Sequence, residues 1–401
     1  MDDVIVGHGI SLLRWRSGGV KHPHDMPPFR FPPSPTLGDS SNTNVWRLKS
    51  LTAVTVDQRV YYSQGVGTQR GEAARGGVTG WGIDDEIIEA YTWLIQNFDD
   101  GDEIFIFGFS RGAYTARSLS GLMCKCGVLK LGAPLSIEQL YARYRIYDAP
   151  TIRSLSAKRL PQNASIEEQW VTKYSRPTKV KFVGVWDTVG SLGLPLASAA
   201  GKVRKYRFLD THLRLDNEYA FHALALDEHR KNFEPTFWTR TDRVGHEGAV
   251  DRRIDSVEQR WFVGAHANVG GGYASDPLAQ RPLMWLMDKA AGLGLVFHDR
   301  VALDVSRIAP PVTDSYREFA WGLYRFVSRP FYRPVGLAPE KGTQATTSRI
   351  NETVDGSVFE RWRVDAAYRP QNLVAWAKEK AVDPAKFNSA VRATDPNVGV
   401  P

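Results

Sequence analysis

Residues 104–112, Ile-Phe-Ile-Phe-Gly-Phe-Ser-Arg-Gly, constrain this chain more than any other stretch. Residues 104–107 are an apolar run of strand-forming types, and 111–123, RGAYTARSLSGLM, reads as a helix with small residues near its start. A serine in a G-x-S-x-G motif between strand and helix sits on a sharp turn, its hydroxyl lifted clear of the sheet. Neither Gly108 nor Gly112 has room for a side chain where the two backbones cross. The helix start brings N–H groups and the positive end of a dipole, so the backbone N–H of Arg111 is a candidate oxyanion donor. The five residues alone also describe a Gly-Ser turn joining buried elements. The setting between strand and helix gives them weight.

Two more predicted strands run straight into polar residues. Lys179–Trp186 ends at Asp187-Thr188-Val189-Gly190, and Arg260–Ala265 ends at His266 before a Gly-rich turn. A strand at 59–62, a helix at 44–51 and an amphipathic helix at 82–97 with Ile83, Ile87, Tyr91 and Leu94 on one face complete a βαβ alternation. That alternation predicts an α/β fold, a mostly parallel sheet with helices on both faces. Ligand sites in such sheets lie at the carboxyl ends of the strands, so Ser110, Asp187 and His266 converge on one edge. Their chain order, nucleophile then acid then histidine, is that of the α/β-hydrolase fold. Each has a plainer alternative: Asp187 as a cap, His266 as a satisfied buried histidine. The rivals His222 and Asp227 lie five apart on an expected helix and are candidate pocket-lining, substrate-binding residues. His8, His22 and His24 fall in the Pro-rich lead-in and receive no role.

Of the 401 residues, 42% are hydrophobic, enough for a large core in one domain with insertions. The net charge of +7 is spread along the chain. It suits an anionic membrane surface, and no recognised motif accompanies it to indicate nucleic acid. Cys124 and Cys126 are too close in sequence for an unstrained bridge and imply neither a disulfide framework nor a metal site. Asp2 and Asp3 stand where a signal peptide would be basic, and no run reaches transmembrane length. The expected location is cytoplasmic and soluble, with export lacking a cleaved signal as an open route. Residues 1–40 are a Pro-rich segment, 41–375 the main domain with cap insertions at 131–178 and 191–220, and 376–401 a tail. Residues 319–336 mix aromatic and basic side chains, which fits both an interfacial contact and a packed cap.

GFSRGAYTAR, VGVWDTVGSLG, FHALALDEHRKNFEPTFW and GAHANVGGGY, with TNVWRL at 43–48, YYSQGVGT at 61–68 and SVFERWRVDAAYRPQNL at 357–373, resemble one family over roughly residues 40–375. It is the uncharacterised α/β-hydrolase domain family that includes the type VI secretion phospholipase effectors. The resemblance implies catalysis by Ser110, Asp187 and His266 without a cofactor. It also implies an ester substrate, a phospholipid for characterised relatives, and leaves a secretion or immunity partner unidentified. Two departures matter. Asn268 stands where the family has Asp, which removes a charge near the imidazole. An apolar opening strand ending in Asp-Gly-Thr is replaced by Pro-rich sequence. That strand belongs beside the nucleophile strand, where its loop gives a second oxyanion N–H; Val4-Ile5-Val6 before Gly7-His8-Gly9 is a candidate substitute. Without one, the chain is expected to be a weakened scaffold that binds rather than cleaves. Acyl transfer to an acceptor other than water is a third reading.

Overall fold

A computed structural model describes residues 10–15, 42–65, 83–146, 148–157, 164–189, 213, 216–243, 252–301, 303, 309–318, 328–341, 345–398 and 400. Its centre is an eight-stranded sheet. In chain order the strands are β1 (Ile10–Trp15), β2 (Gln58–Ser63), β3 (Glu103–Phe109), β4 (Val180–Trp186), β5 (Asn217–Ala225), β6 (Val257–Phe262), β7 (Glu352–Val354) and β8 (Val391–Arg392). They lie side by side as β8-β7-β6-β5-β4-β3-β1-β2. The run from β3 to β7 is parallel throughout. β8 and β1 are antiparallel to their neighbours.

β3 shows why this sheet is covered on both sides. Side chains of a strand alternate between faces. Ile104 and Ile106 join one apolar cluster with α2 (Ile83–Asn97) and α3 (Arg111–Cys126). Phe105, Phe107 and Phe109 join another, with α1 (Asn44–Leu51) and α5 (Gln280–Ala291). All five are fully buried. The face predicted for α2, Ile83, Ile87, Tyr91 and Leu94, is buried, and Asp84, Asp85 and Glu86 complement the dipole in its first turn. α1 begins at a Thr43 cap whose hydroxyl accepts the Trp46 N–H.

The expected vacancy beside the nucleophile strand is filled. β1 occupies it, paired antiparallel to both β3 and β2 from Ile10↔Gly108 to Trp15↔Glu103. The strand lies later than the Val4-Ile5-Val6 candidate, which is outside the described residues, and it runs the other way. Its amino end, not its carboxyl end, therefore adjoins the elbow.

Other expectations also shift. His222 lies on β5 and Asp227 in the turn beyond it, not on a helix. A strand flanked by parallel neighbours is buried on both faces, so Phe221–Leu226 is a buried run, apolar apart from His222, that periodicity cannot separate from a buried helix. β6 starts at Val257 and stops at Phe262, before a turn at Gly264 with φ +121. His266 then opens the short helix α4 (His266–Gly270), where a Gly-rich turn was expected. The helices at Ile137–Arg145 and Ile166–Tyr174 pack by the end of α3 remote from Ser110: Lys125 donates to the Tyr144 carbonyl, and Lys130 N–H to that of Tyr174. Of the stretch 191–220, only residues 213 and 216–220 are described, the last four in β5. Beyond α6 (Gly356–Val364), α7 (Gln371–Glu379) carries the fully buried Trp376, which donates to the Ala393 carbonyl at 2.7 Å. Residues past 375 thus supply core and an edge strand.

Candidate active site

The carboxyl ends of β3, β4 and β6 each end in a constrained turn. Ser110 has φ +57 and ψ −119, and Asp187 has φ +37. Both are non-glycine residues in a left-handed conformation, at a cost on the order of 1–3 kcal/mol each that surrounding structure must sustain. Local bonds do so. The Ser110 N–H donates to the Trp186 carbonyl at 3.1 Å and the Asp187 N–H to the Ala223 carbonyl at 2.7 Å. The Thr188 N–H donates to His222 Nε2 at 3.0 Å.

These turns bring the three predicted residues together. His266 Nε2 lies 2.8 Å from Ser110 Oγ, and His266 Nδ1 lies 2.6 Å from Asp187 Oδ2. All three side chains are buried. An ionised carboxylate only accepts, so Nδ1 carries the imidazole proton and Nε2 is left to accept from the serine. The ring is wedged between Phe109, at a centroid distance of 4.7 Å, and Phe233, at 5.1 Å. Arg111 stands at the first position of α3, where helix N–H groups have no intrahelical acceptor.

Two charged residues at the site were not foreseen. Arg333, fully buried, grips the acid: Nη1 is 2.7 Å from Asp187 Oδ1 and Nη2 is 3.0 Å from Oδ2. It lies 146 residues from Asp187 in sequence, within the 319–336 segment read only as interfacial or cap. Glu228, fully buried, accepts from the Arg230 side chain, the Ser315 hydroxyl at 2.9 Å and the His266 N–H at 3.3 Å. Its one sequence signal was its place beside Asp227 in the Asp-Glu-His-Arg run.

Burial alone would raise the Asp187 carboxyl. The guanidinium of Arg333, with His266, outweighs it and holds the group well below the usual carboxylate range. Burial pushes the His266 imidazole down; Asp187 opposes this and Arg230 adds to it. Glu228 is likewise lowered, burial being overcome chiefly by Arg230. His222, buried behind the acid turn, is pushed down to about 3 by desolvation and by Arg117, so it is neutral when it accepts from Thr188. Asp227 is raised by burial, and binds the Gly264 N–H at 2.7 Å and the Tyr368 hydroxyl. His222 and Asp227 thus brace turns around the site. Asn268 accepts the Ala265 and Thr313 N–H groups, a neutral brace where the resemblance led to the expectation of an Asp. Among the described residues no cluster of His, Cys, Asp and Glu could hold a metal ion, and Cys124 and Cys126 are buried thiols outside any disulfide.

A mostly parallel sheet flanked by helices, with a serine on the turn after a central strand, defines an α/β fold of the α/β-hydrolase kind. Residues 34–289 match the type VI secretion phospholipase effector family, Tle1-like, catalytic domain, and the chain belongs to that family. An uncharacterized protein of Saccharomyces cerevisiae is 28% identical over 225 residues, 51% of this chain and 31% of its own length. The chain therefore spans about a third of that curated relative. A solved structure of an uncharacterized protein from Pseudomonas aeruginosa is 19% identical, over 49% of this chain and 25% of its own, with a TM-score of 0.29. A Tle1 effector bound to the VgrG spike of the Type 6 secretion system is 17% identical, over 58% and 40%, with a TM-score of 0.27. No helix among the described residues is long and apolar enough to cross a membrane.

Proposed function

We propose that this chain is a serine hydrolase that cleaves a carboxylic ester of a phospholipid through Ser110, His266 and Asp187. The observation that carries the reading is one buried imidazole within hydrogen-bond reach of a hydroxyl on one side and a carboxylate on the other. Membership of a phospholipase family supports the substrate class.

In the first half-reaction His266 Nε2 takes the Ser110 proton as Oγ bonds to the acyl carbonyl carbon. The carbonyl electron pair moves to the oxygen, and the Arg111 N–H holds the resulting oxyanion. The oxyanion collapses, the carbon–oxygen bond to the lysophospholipid breaks, and His266 returns its proton to that leaving oxygen. Water then repeats the sequence on the acyl-serine, releasing a fatty acid and restoring Ser110. Asp187 holds the imidazole in the required tautomer throughout and stabilises its charged form. No step in this scheme draws on a cofactor.

Ser110→Ala is expected to lower kcat for a short-chain p-nitrophenyl ester by up to about a million-fold, and to abolish labelling by a fluorophosphonate. A variant that still hydrolyses the ester at the wild-type rate sinks the assignment. Release of free fatty acid from phosphatidylcholine or phosphatidylglycerol vesicles tests the substrate class. The solved complex of a Tle1 effector with its spike makes a secretion-spike protein the partner to test in a pull-down.

A further inference from the structure

Arg333 reaches the site from the segment after residue 328, and both terminal nitrogens of its guanidinium are engaged. Nη1 donates to Asp187 Oδ1 and to the Ala225 carbonyl, each at 2.7 Å. Nη2 donates to Asp187 Oδ2 at 3.0 Å and to the Phe233 carbonyl. The carboxylate is correspondingly saturated: Oδ1 also accepts the Ala225 N–H at 3.0 Å, and Oδ2 faces His266 Nδ1. A buried ion pair is weak evidence for a stabilising role, because apolar replacements often do as well. Here the partner is the acid itself.

We propose that Arg333 is a positioning residue for the reaction: its guanidinium locks both oxygens of Asp187 in the plane that His266 Nδ1 requires, and offsets the carboxylate's charge. The inference rests on the hydrolase reading above and adds a consequence for the base. Among the described residues, the charged groups around the imidazole and its acid are Asp187 and Glu228, both negative, and Arg333 and Arg230, both positive. They sum to zero. Protonating His266 would leave a net positive charge in a dry cluster, so the imidazole remains a free base further into acid than a histidine facing an unpaired carboxylate. Removing Arg333 leaves the cluster at −1 and favours the imidazolium. An opposite charge at such range moves an ionisation by roughly 1–3 pH units.

The test is kcat/KM for p-nitrophenyl butyrate across about pH 4 to pH 9 on the full chain, where the acid limb reports the free-enzyme base. The wild-type limb is expected below the ordinary imidazole value of about 6.5. Arg333→Gln is expected to move it upward by about one unit or more and to lower kcat about 100-fold or more, with KM little changed. Arg333→Lys keeps the charge without the fork, so its limb stays near wild type while kcat falls. A purely structural Arg333 would lower thermal stability and leave the limb in place, which overturns the proposal. A wild-type limb at or above 6.5 overturns it without any variant. Asp187→Asn, run alongside, separates the failures: unchanged activity there sinks the hydrolase reading itself, as does a wild type with neither hydrolysis nor fluorophosphonate labelling. An inactive Asp187→Asn with an unmoved limb in Arg333→Gln sinks only the role of Arg333.

Discussion

Gly108→Ala probes the turn that sets up everything else. A Cβ there would lie 2.3 Å from the Gly112 carbonyl oxygen, 2.6 Å from its carbon and 2.8 Å from Ala113 Cα. All three are backbone atoms of the first turn of α3, so no side chain can swing aside. Bringing the closest contact out to about 3.0 Å requires strand and helix to part by about 0.7 Å. Added to the 2.8 Å between Ser110 Oγ and His266 Nε2, that gives about 3.5 Å, the limit at which a hydrogen bond is lost. Overpacking of this kind costs about 1–3 kcal/mol, and a misplacement near 1 Å costs about 100-fold in rate. The expected variant is therefore folded, melts several degrees lower by calorimetry, and hydrolyses p-nitrophenyl butyrate about 30- to 100-fold more slowly. Wild-type melting together with wild-type kcat would refute the claim that close backbone crossing positions the serine.

Two predictions concern pH and stability. His222 is depressed to about 3 in the fold, so between the ordinary value near 6.5 and about 3 the unfolded chain binds the extra proton, and stability falls as pH falls. His222→Gln, which can still accept from Thr188, should flatten that slope by up to about 1.4 kcal/mol per pH unit in urea titrations, and an unchanged slope would count against a neutral buried His222. Glu86 has the opposite sign: burial raises it to about 7, so stability falls as pH rises from about 4.5 to about 7 and stays low above that. Its Oε2 accepts from Thr115 at 2.9 Å, a bond that Glu86→Gln can keep without the buried charge, so Glu86→Gln should stabilise by about 1–3 kcal/mol at pH 8 and little at pH 4.5. Equal effects at both pH values would refute it.

Short-range pattern carried much of the architecture. The continuous apolar run of β3, the 3.6-residue stripe of α2 and the glycine pair around Ser110 each state their own conformation, because both faces of a central strand, one face of a helix and a tight crossing leave few residue types acceptable. Ser110, Asp187 and His266 were legible because each follows the carboxyl end of a strand, His266 across a short turn, and strand ends of a parallel sheet share an edge. The chain alone thus determined which residues form the sheet's middle and which polar side chains reach its rim. What fills the slot beside β3, and in which direction, depended on long-range pairing: β1 is antiparallel, and nothing local to Ile10–Trp15 encodes its partners. His222 could not be told from a helical residue until neighbours on both sides made Asn217–Ala225 a strand. The same holds for Arg333. A guanidinium in an aromatic and basic loop has no signature of its own, and only the tertiary fold, by closing 146 residues of chain and excluding water from an ion pair, decided that it would face the acid.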